Sequence, residues 1–209
     1  MKALALIVPL ALAGVFAAAA PAVAQSADEK TCFSTNSDNY KQEDYYSRGL
    51  AACNREINSG KHKGKNLAFF LRAKGYWLRV MKRLDEALPV YNRAIELDPQ
   101  HVEGYDYRAV VWQQMNNNDR AIADYGMAIR IDPTYAAAYY RRGNLYQTLG
   151  EIEKAREDYN ASLALPAKNR IGDWAHEQAR KRLDELTKGS DDKGNQDNQD
   201  NSKGGGGKS

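Results

Sequence analysis

Residues 119–146 read DRAIADYGMAIRIDPTYAAAYYRRGNLY, with one apolar pattern before Pro133 and another after it. The first half of this stretch carries Ala121, Tyr125 and Ala128 at spacings of four and three, which places the three side chains on one face of a helix. Pro133 ends that helix, because proline restricts the residue before it and lacks a backbone donor. A second helical pattern follows, so the stretch predicts two helices joined by a short turn.

The same pattern recurs along the chain with a period of about 34 residues, which indicates a stack of helical hairpins. Small residues recur at Gly75, Ala109 and Gly143, at Ala87, Ala121 and Ala155, and at Ala94, Ala128 and Ser162. Large residues recur at Leu71, Tyr105 and Tyr139, at Leu78, Trp112 and Tyr146, and at Tyr91, Tyr125 and Tyr159. Small residues let two helices approach closely while the large ones fill the groove beside them. One hairpin cannot bury its own apolar face, so stacking is required.

These residues resemble the tetratricopeptide repeat, and the resemblance covers about residues 68–167. The sequence of residues 119–146 is similar to repeats of exported bacterial members of that family. The resemblance implies an all-α fold, a right-handed superhelical solenoid of antiparallel helix pairs. Its three units would be residues 68–101, 102–135 and 136–169.

Both ends of the array depart from the repeat. We call the positions that correspond to one another in successive repeats a column. Gly49 falls in the column of Ala121 and Cys53 in that of Tyr125. Residues 25–67 are therefore interpreted as a degenerate repeat whose second helix covers about 42–59. The preceding stretch, 30–40, is rich in Ser, Asn and Asp and is expected to be partly irregular. Residues 170–188 predict an amphipathic capping helix. Residues 189–209 contain no apolar side chain and are predicted to be disordered.

Residues 1–24 have the layout of a secretory signal peptide, with Lys2, an apolar run and a small-residue ending. A membrane anchor is the alternative, but the run is alanine-rich, contains Pro9 and Pro21, and lacks basic stop-transfer residues after it. We therefore expect cleavage after Ala24, a periplasmic or secreted protein, and no stable membrane insertion afterwards.

The chain has two cysteines, Cys32 and Cys53. In an exported protein an even pair is presumed to form a disulfide. A reactive thiol pair or a pair of metal ligands is the alternative, but neither a short two-cysteine motif nor clustered histidines support it.

The composition excludes several classes of function. The net charge of +3 falls to +2 once Lys2 is removed with the signal peptide, which is too weak a bias to predict nucleic-acid binding. His62, His101 and His176 have no neighbours at metal or triad spacing, and no phosphate loop or nucleophile elbow occurs. We predict no catalytic residue, no metal and no cofactor, and hence not an enzyme.

A binding surface is what remains, and the resemblance places it on the concave face, on the first helix of each unit. The implied binding residues are Phe69, Arg72, Tyr76 and Arg79, then Asp106, Tyr107, Val110 and Gln113, then Tyr140, Arg141, Asn144 and Gln147. Arginine and tyrosine favour carboxylates and extended chains. The same residue types also serve packing and solubility in such repeats, so both interpretations stay open.

Chaperone-tail-binding members of the family grip a terminal carboxylate with a lysine, asparagine and arginine set. This sequence matches that set only at Arg141, with Tyr76 and Tyr107 where asparagines would be needed, so that ligand is not predicted. Charge reversal at Arg72 and Arg141 is expected to weaken partner capture without unfolding the array. The regular basic column Lys74, Arg108 and Arg142 is interpreted as structural.

The sequence thus favours a non-catalytic scaffold that binds a protein or peptide partner in the bacterial cell envelope. The alternative is an accessory factor that recruits an enzyme or its substrate for envelope polymer assembly or secretion.

Overall fold

The computed structural model describes residues 26–33, 42–167 and 169–203, and every regular element in these ranges is an α-helix. The helices are α1 (Ala27–Phe33), α2 (Gln42–Asn58), α3 (Gly64–Val80), α4 (Leu84–Leu97), α5 (Val102–Gln114), α6 (Asn118–Ile131), α7 (Ala136–Thr148), α8 (Ile152–Ala164) and α9 (Arg170–Lys203). The predicted signal peptide, residues 1–24, lies outside the described residues. Within those residues no helix combines the length and apolar character needed to cross a bilayer.

The helices pair in chain order into three hairpins, α3 with α4, α5 with α6 and α7 with α8. Successive hairpins touch through α4 and α5 and through α6 and α7. The predicted all-α solenoid of helix pairs is therefore confirmed. The first unit begins earlier than the sequence suggests, because α3 starts at Gly64, whose φ of +52° suits a residue without a Cβ.

Close helix approach explains the recurring small residues. A Cβ on Gly75 would lie 2.6 Å from the ring of Tyr91, and a Cβ on Gly143 would lie 3.1 Å from that of Tyr159. Both tyrosines are fully buried. The tyrosine of the second helix thus fills space that Gly75 and Gly143 leave open, so a larger residue at either glycine requires repacking.

The turn inside each hairpin has one recurring geometry. Lys82, Asn116 and Gly150 occupy the same position in successive units, and all have positive φ, at 61°, 60° and 79°. The next backbone N–H closes the preceding helix in each case, as in the 2.9 Å bonds from Arg83 to the carbonyl of Leu78 and from Glu151 to that of Tyr146. Only the third unit has glycine at the left-handed position.

The N-terminal region packs on α3. Cys32 on α1 and Cys53 on α2 form a disulfide, with their Cα atoms 4.8 Å apart. The indole N–H of Trp77 donates to the carbonyl of Cys32 at 2.9 Å, and a Cβ on Gly49 would meet the ring of Trp77 at 2.5 Å. The stretch expected to be partly irregular begins inside α1, since residues 30–33 are helical; residues 34–41 lie outside the described residues.

The C-terminal helix α9 packs against α7 and α8. Ile171, Ala175 and Ala179 are buried in that contact. The helix continues past Gly189 to Lys203, into the segment for which the sequence predicts disorder. No proline interrupts these residues, and one glycine inside a helix costs only about 1 kcal/mol, so Gly189 does not end the backbone hydrogen bonding.

Candidate functional site

The residues predicted to bind a partner lie on α3, α5 and α7, and none of them is exposed. We call this surface the inner face. Arg72, Asp106, Tyr107 and Tyr140 are buried, whereas Phe69, Tyr76, Arg79, Val110, Gln113, Arg141, Asn144 and Gln147 are half-buried. Part of the predicted set therefore belongs to the core, and only the half-buried members are available to a partner.

Arg141 is engaged inside the protein. Its guanidinium donates to Oδ2 of Asp106, which is fully buried and also accepts from the hydroxyl of Tyr135 at 3.0 Å. The cation lies 5.9 Å from the ring centre of Tyr107 and 5.2 Å from that of Trp174. The expectation that charge reversal at Arg141 leaves the fold intact is wrong, because an acidic side chain here would face a buried aspartate.

Arg72 is also inaccessible, with 3% of its side chain exposed. Its Nη1 lies 3.7 Å from Oδ2 of Asp98, and the exposed Lys65 lies 3.7 Å from the other oxygen of that carboxylate. Burial lowers the pKa of Arg72. Charge reversal here would likewise disturb the array, so neither arginine serves as a free anion receptor.

Glu103 belongs to the inner face, although it was not among the residues predicted to bind. It lies in the first turn of α5, with 14% of its side chain exposed. Burial raises its pKa to about 7, while Arg72 and Arg141 act in the opposite direction. The repeat spacing could have predicted Glu103 as a binding residue, because it occupies the column of Phe69, which was predicted to bind.

Two glutamines in one column are oriented by buried tyrosines. The hydroxyl of Tyr125 donates to Oε1 of Gln113 at 3.1 Å, and that of Tyr159 donates to Oε1 of Gln147 at 2.6 Å. The tyrosines thereby fix the amide oxygens, and the amide nitrogens remain as donors. Arg79, in the same column, lies 5.3 Å from the ring centre of Tyr76.

The basic column is structural in the second and third units, as predicted. Arg108 makes two bonds of 2.7 Å to the carboxylate of Asp124, and Arg142 makes bonds of 2.8 and 2.7 Å to Asp158. Each pair joins the two helices of one hairpin. Val90 stands where these aspartates would be in the first unit, opposite Lys74.

The described residues offer no metal site, because no three His, Cys, Asp or Glu side chains among them converge. His62 lies 2.9 Å from Glu56, and His101 lies 4.0 Å from Glu103. Both histidines thus neighbour carboxylates of the scaffold.

Stacked hairpins with alternating small and aromatic columns define a helical-repeat solenoid, a class of protein-interaction scaffold. Family models of the tetratricopeptide repeat match residues 74–101 and 136–165, and a further TPR repeat model matches residues 113–150. The chain is a tetratricopeptide repeat protein. No curated protein sequence matches it.

Solved structures show the same fold. The first TPR domain of Spaghetti (RPAP3), bound to the HSP90 peptide SRMEEVD, is 27% identical, with a TM-score of 0.50 over 61% of this chain and 99% of that one. MamA is 17% identical, with a TM-score of 0.55 over 83% of this chain and 99% of that one. TTC0263, a thermophilic TPR protein of Thermus thermophilus, is 19% identical, with a TM-score of 0.52 over 59% and 67% of the two chains.

Proposed function

We propose that this chain is a non-catalytic scaffold that binds a protein or peptide partner on its inner face in the bacterial cell envelope. The half-buried amide and aromatic side chains on α3, α5 and α7 carry this proposal. Gln113 and Gln147 occupy equivalent positions on α5 and α7, with Arg79 at that position on α3, and Tyr76 and Asn144 share a second set of equivalent positions. Polar and aromatic contacts are therefore offered at regular spacing along one surface. The RPAP3 domain, which is similar over nearly its whole length, holds a peptide.

Two features support the envelope location. Residues 1–24 have the layout of a signal peptide, and Cys32 and Cys53 are bonded in the structure. Disulfides persist in oxidising compartments such as the bacterial periplasm and are rare in the cytosol. Fractionation of a bacterial host that produces the full chain tests this part, with a mature N-terminus at Gln25 expected in the periplasmic fraction. Retention of the uncleaved chain in the cytoplasm would contradict the location.

Site-directed photo-crosslinking in the same cells tests the binding face. A photoreactive amino acid replaces Asn144, half-buried on α7, and in a matched control it replaces Asn160, exposed on α8. We expect a covalent adduct with a partner protein from position 144 only. Adducts of equal yield from both positions, or from position 160 alone, would place binding elsewhere.

A further inference from the structure

The contacts between successive hairpins differ in polarity at equivalent positions. We call the contacts of α5, α7 and α9 with the hairpin that precedes each of them the first, second and third joints. The column of Phe69 places Glu103 in the first joint, Ala137 in the second and Ile171 in the third. Ala137 and Ile171 are buried apolar residues. In this column the first joint alone therefore carries an ionisable group.

Buried polar atoms of the first joint lack hydrogen bonds. Nε and Nη1 of Arg72, Nδ1 of His101 and the hydroxyl of Tyr107 are buried and have no hydrogen-bond partner among the described residues. Their ion-pair distances are long, at 3.7 Å from Arg72 to Asp98 and 4.0 Å from His101 to Glu103. Each of these groups would gain a hydrogen bond from water if the joint opened, so each opposes its closure.

The second joint is hydrogen-bonded at the same positions. Tyr135 and Asp106 stand one repeat period after His101 and Arg72. The hydroxyl of Tyr135 donates to Oδ2 of Asp106 at 3.0 Å, and the guanidinium of Arg141 donates to the same oxygen. Oδ1 of Asp106 has no partner in the described part of the chain, but the carboxylate keeps two hydrogen bonds. The buried polar groups of this joint therefore hold it closed.

Burial in the first joint also disfavours two charges. It raises the pKa of Glu103 to about 7 and lowers that of His101 to about 4. The charged groups that surround these two side chains are Lys65, Arg72, Asp98, Asp106 and Arg141. Exposure to water would let both side chains take their ordinary charged forms, so titration at either end of the pH range favours an open joint.

The first joint is also crossed at its exposed edge, where Arg108 donates to Asn92 at 2.8 Å and water can replace the bond. We propose that the first joint is a hinge, which opens locally in the folded protein so that α1–α4 and α5–α9 move as two bodies. Opening changes the distance between α3 and α5 and so divides the inner face into two sections. The hinge is a property of the chain itself and requires no partner.

A single introduced cysteine reports the opening, because Cys32 and Cys53 are bonded to each other and leave no free thiol. Val111→Cys places the probe on α5 in the core shared with the first hairpin, and Leu145→Cys places it one repeat period later on α7, against the second hairpin. Both positions are at most 1% exposed, so a small thiol reagent labels them only after an opening.

The labelling rate of each variant, in purified and oxidised protein at about pH 8, is compared with the rate that its own free energy of unfolding predicts. We expect Val111→Cys to react at least about tenfold faster than predicted and with little dependence on urea, and Leu145→Cys to react as predicted. Leu145→Cys removes more side-chain volume, so loss of packing alone would bias the result against this expectation.

Variants of Glu103 test the cause. Glu103→Ile copies the residue of the third joint, and Glu103→Gln keeps the shape of the side chain. Each should slow the labelling of Val111→Cys by about tenfold or more, since one pKa unit is a factor of ten in the opening equilibrium. Neither should change the labelling of Leu145→Cys.

Three outcomes would overturn the hinge. Labelling of Val111→Cys at the predicted rate, with a steep urea dependence, would show that the array opens only as a whole. Faster labelling of Leu145→Cys would assign the weak contact to the second joint. Fast labelling of Val111→Cys that is insensitive to both Glu103 variants would show that the buried polar groups do not cause the opening.

Discussion

The guanidinium of Arg141 on α7 is hydrogen-bonded to the fully buried carboxylate of Asp106 on α5, so an ion pair links the second and third repeats. Removing one partner of such a pair leaves the other charge buried and alone. We expect Arg141→Ala to lower the free energy of unfolding by about 3–5 kcal/mol, measured by urea denaturation.

A double variant separates loss of the pair from loss of packing. Arg141→Met with Asp106→Leu replaces both charges by apolar side chains, and its stability should lie closer to that of the parent than to that of Arg141→Ala. The assignment is wrong if Arg141→Ala costs less than about 1 kcal/mol.

The disulfide should anchor the N-terminal hairpin. Cys32 and Cys53 are 21 residues apart, and a loop of this length corresponds to about 3 kcal/mol of chain entropy. We expect the double variant Cys32→Ser, Cys53→Ser to raise amide hydrogen exchange in α1 and α2. Thiol labelling of the denatured, unreduced parent should find no free thiol. Two labelled cysteines, or unchanged exchange in α1, would refute the role.

His101 should make the array less stable in acid. Burial lowers its pKa to about 4, and Arg72 and Lys65 act in the same direction while Asp98 opposes them. Its contribution to stability is complete above its unfolded pKa of 6.5 and is lost as the pH falls towards 4.

Glu103 should make the array less stable as the pH rises. Burial raises its pKa to about 7, with Arg72 and Arg141 opposing the rise and Asp106 adding to it. The folded state is therefore favoured below the unfolded pKa of 4.5, and that advantage is lost as the pH rises towards 7.

His101 makes the free energy of unfolding rise with pH, and Glu103 makes it fall. These two slopes should cancel in the parent between about pH 4.5 and 6.5. Urea denaturation across this range should show stability rising with pH in Glu103→Gln, where His101 alone remains, and falling with pH in His101→Gln. Each slope should approach about 1.4 kcal/mol per pH unit. Slopes of the same sign in both variants would contradict the assignment.

Gly126 lacks a side chain at a position where the preceding unit has a hydrogen-bonded asparagine. Asn92 accepts from Arg108 at 2.8 Å, and Gly126 occupies the column of Asn92 in the next unit. A Cβ on Gly126 would make only ordinary contacts, 3.8 Å from Nη1 of Arg130 and 3.9 Å from Nη1 of Arg142. Gly126→Asn should raise the free energy of unfolding by about 0.5–1 kcal/mol, from helix propensity and the added bond. Gly143→Asn is the matched control and should be destabilising, because its Cβ would lie 3.0 Å from Asp158. Equal effects of the two changes would contradict the packing.

Lys82, Asn116 and Gly150 share the left-handed position of the turn, and substitutions there should change stability by graded amounts. Lys82→Gly should stabilise the chain by about 1 kcal/mol, because a non-glycine residue is strained at a φ of 61°. Gly150→Ala should destabilise it by about the same amount or more, and Asn116→Gly should have a smaller effect than Lys82→Gly. Thermal melts of the three variants check the order, and a destabilising Lys82→Gly would contradict it.

Much of the fold could be predicted because the repeat is a local, periodic signal. The columns of Gly75 and Tyr91 were readable without coordinates, since identical spacing imposes identical packing in each hairpin. The C-terminal end of α9 could not be predicted from the sequence, because composition indicates whether a segment can pack but does not by itself end a helix.

The binding surface was predicted less well. The register places Arg72, Asp106 and Arg141 on the first helices, but periodicity assigns a column without showing which charges are paired. Glu103 shares a column with Phe69, which was predicted to bind, and it was missed because the prediction gave weight to arginine and tyrosine.

The repeat, its period and the pair of cysteines were predictable from the chain alone, since they follow from local spacing and composition. The pairing of Arg141 with Asp106 and the packing of Trp174 of α9 against Tyr140 follow only from the tertiary structure. Both depend on residues from different repeats meeting across packed helices, and that contact is settled by the stacking of hairpins rather than by any single stretch of chain.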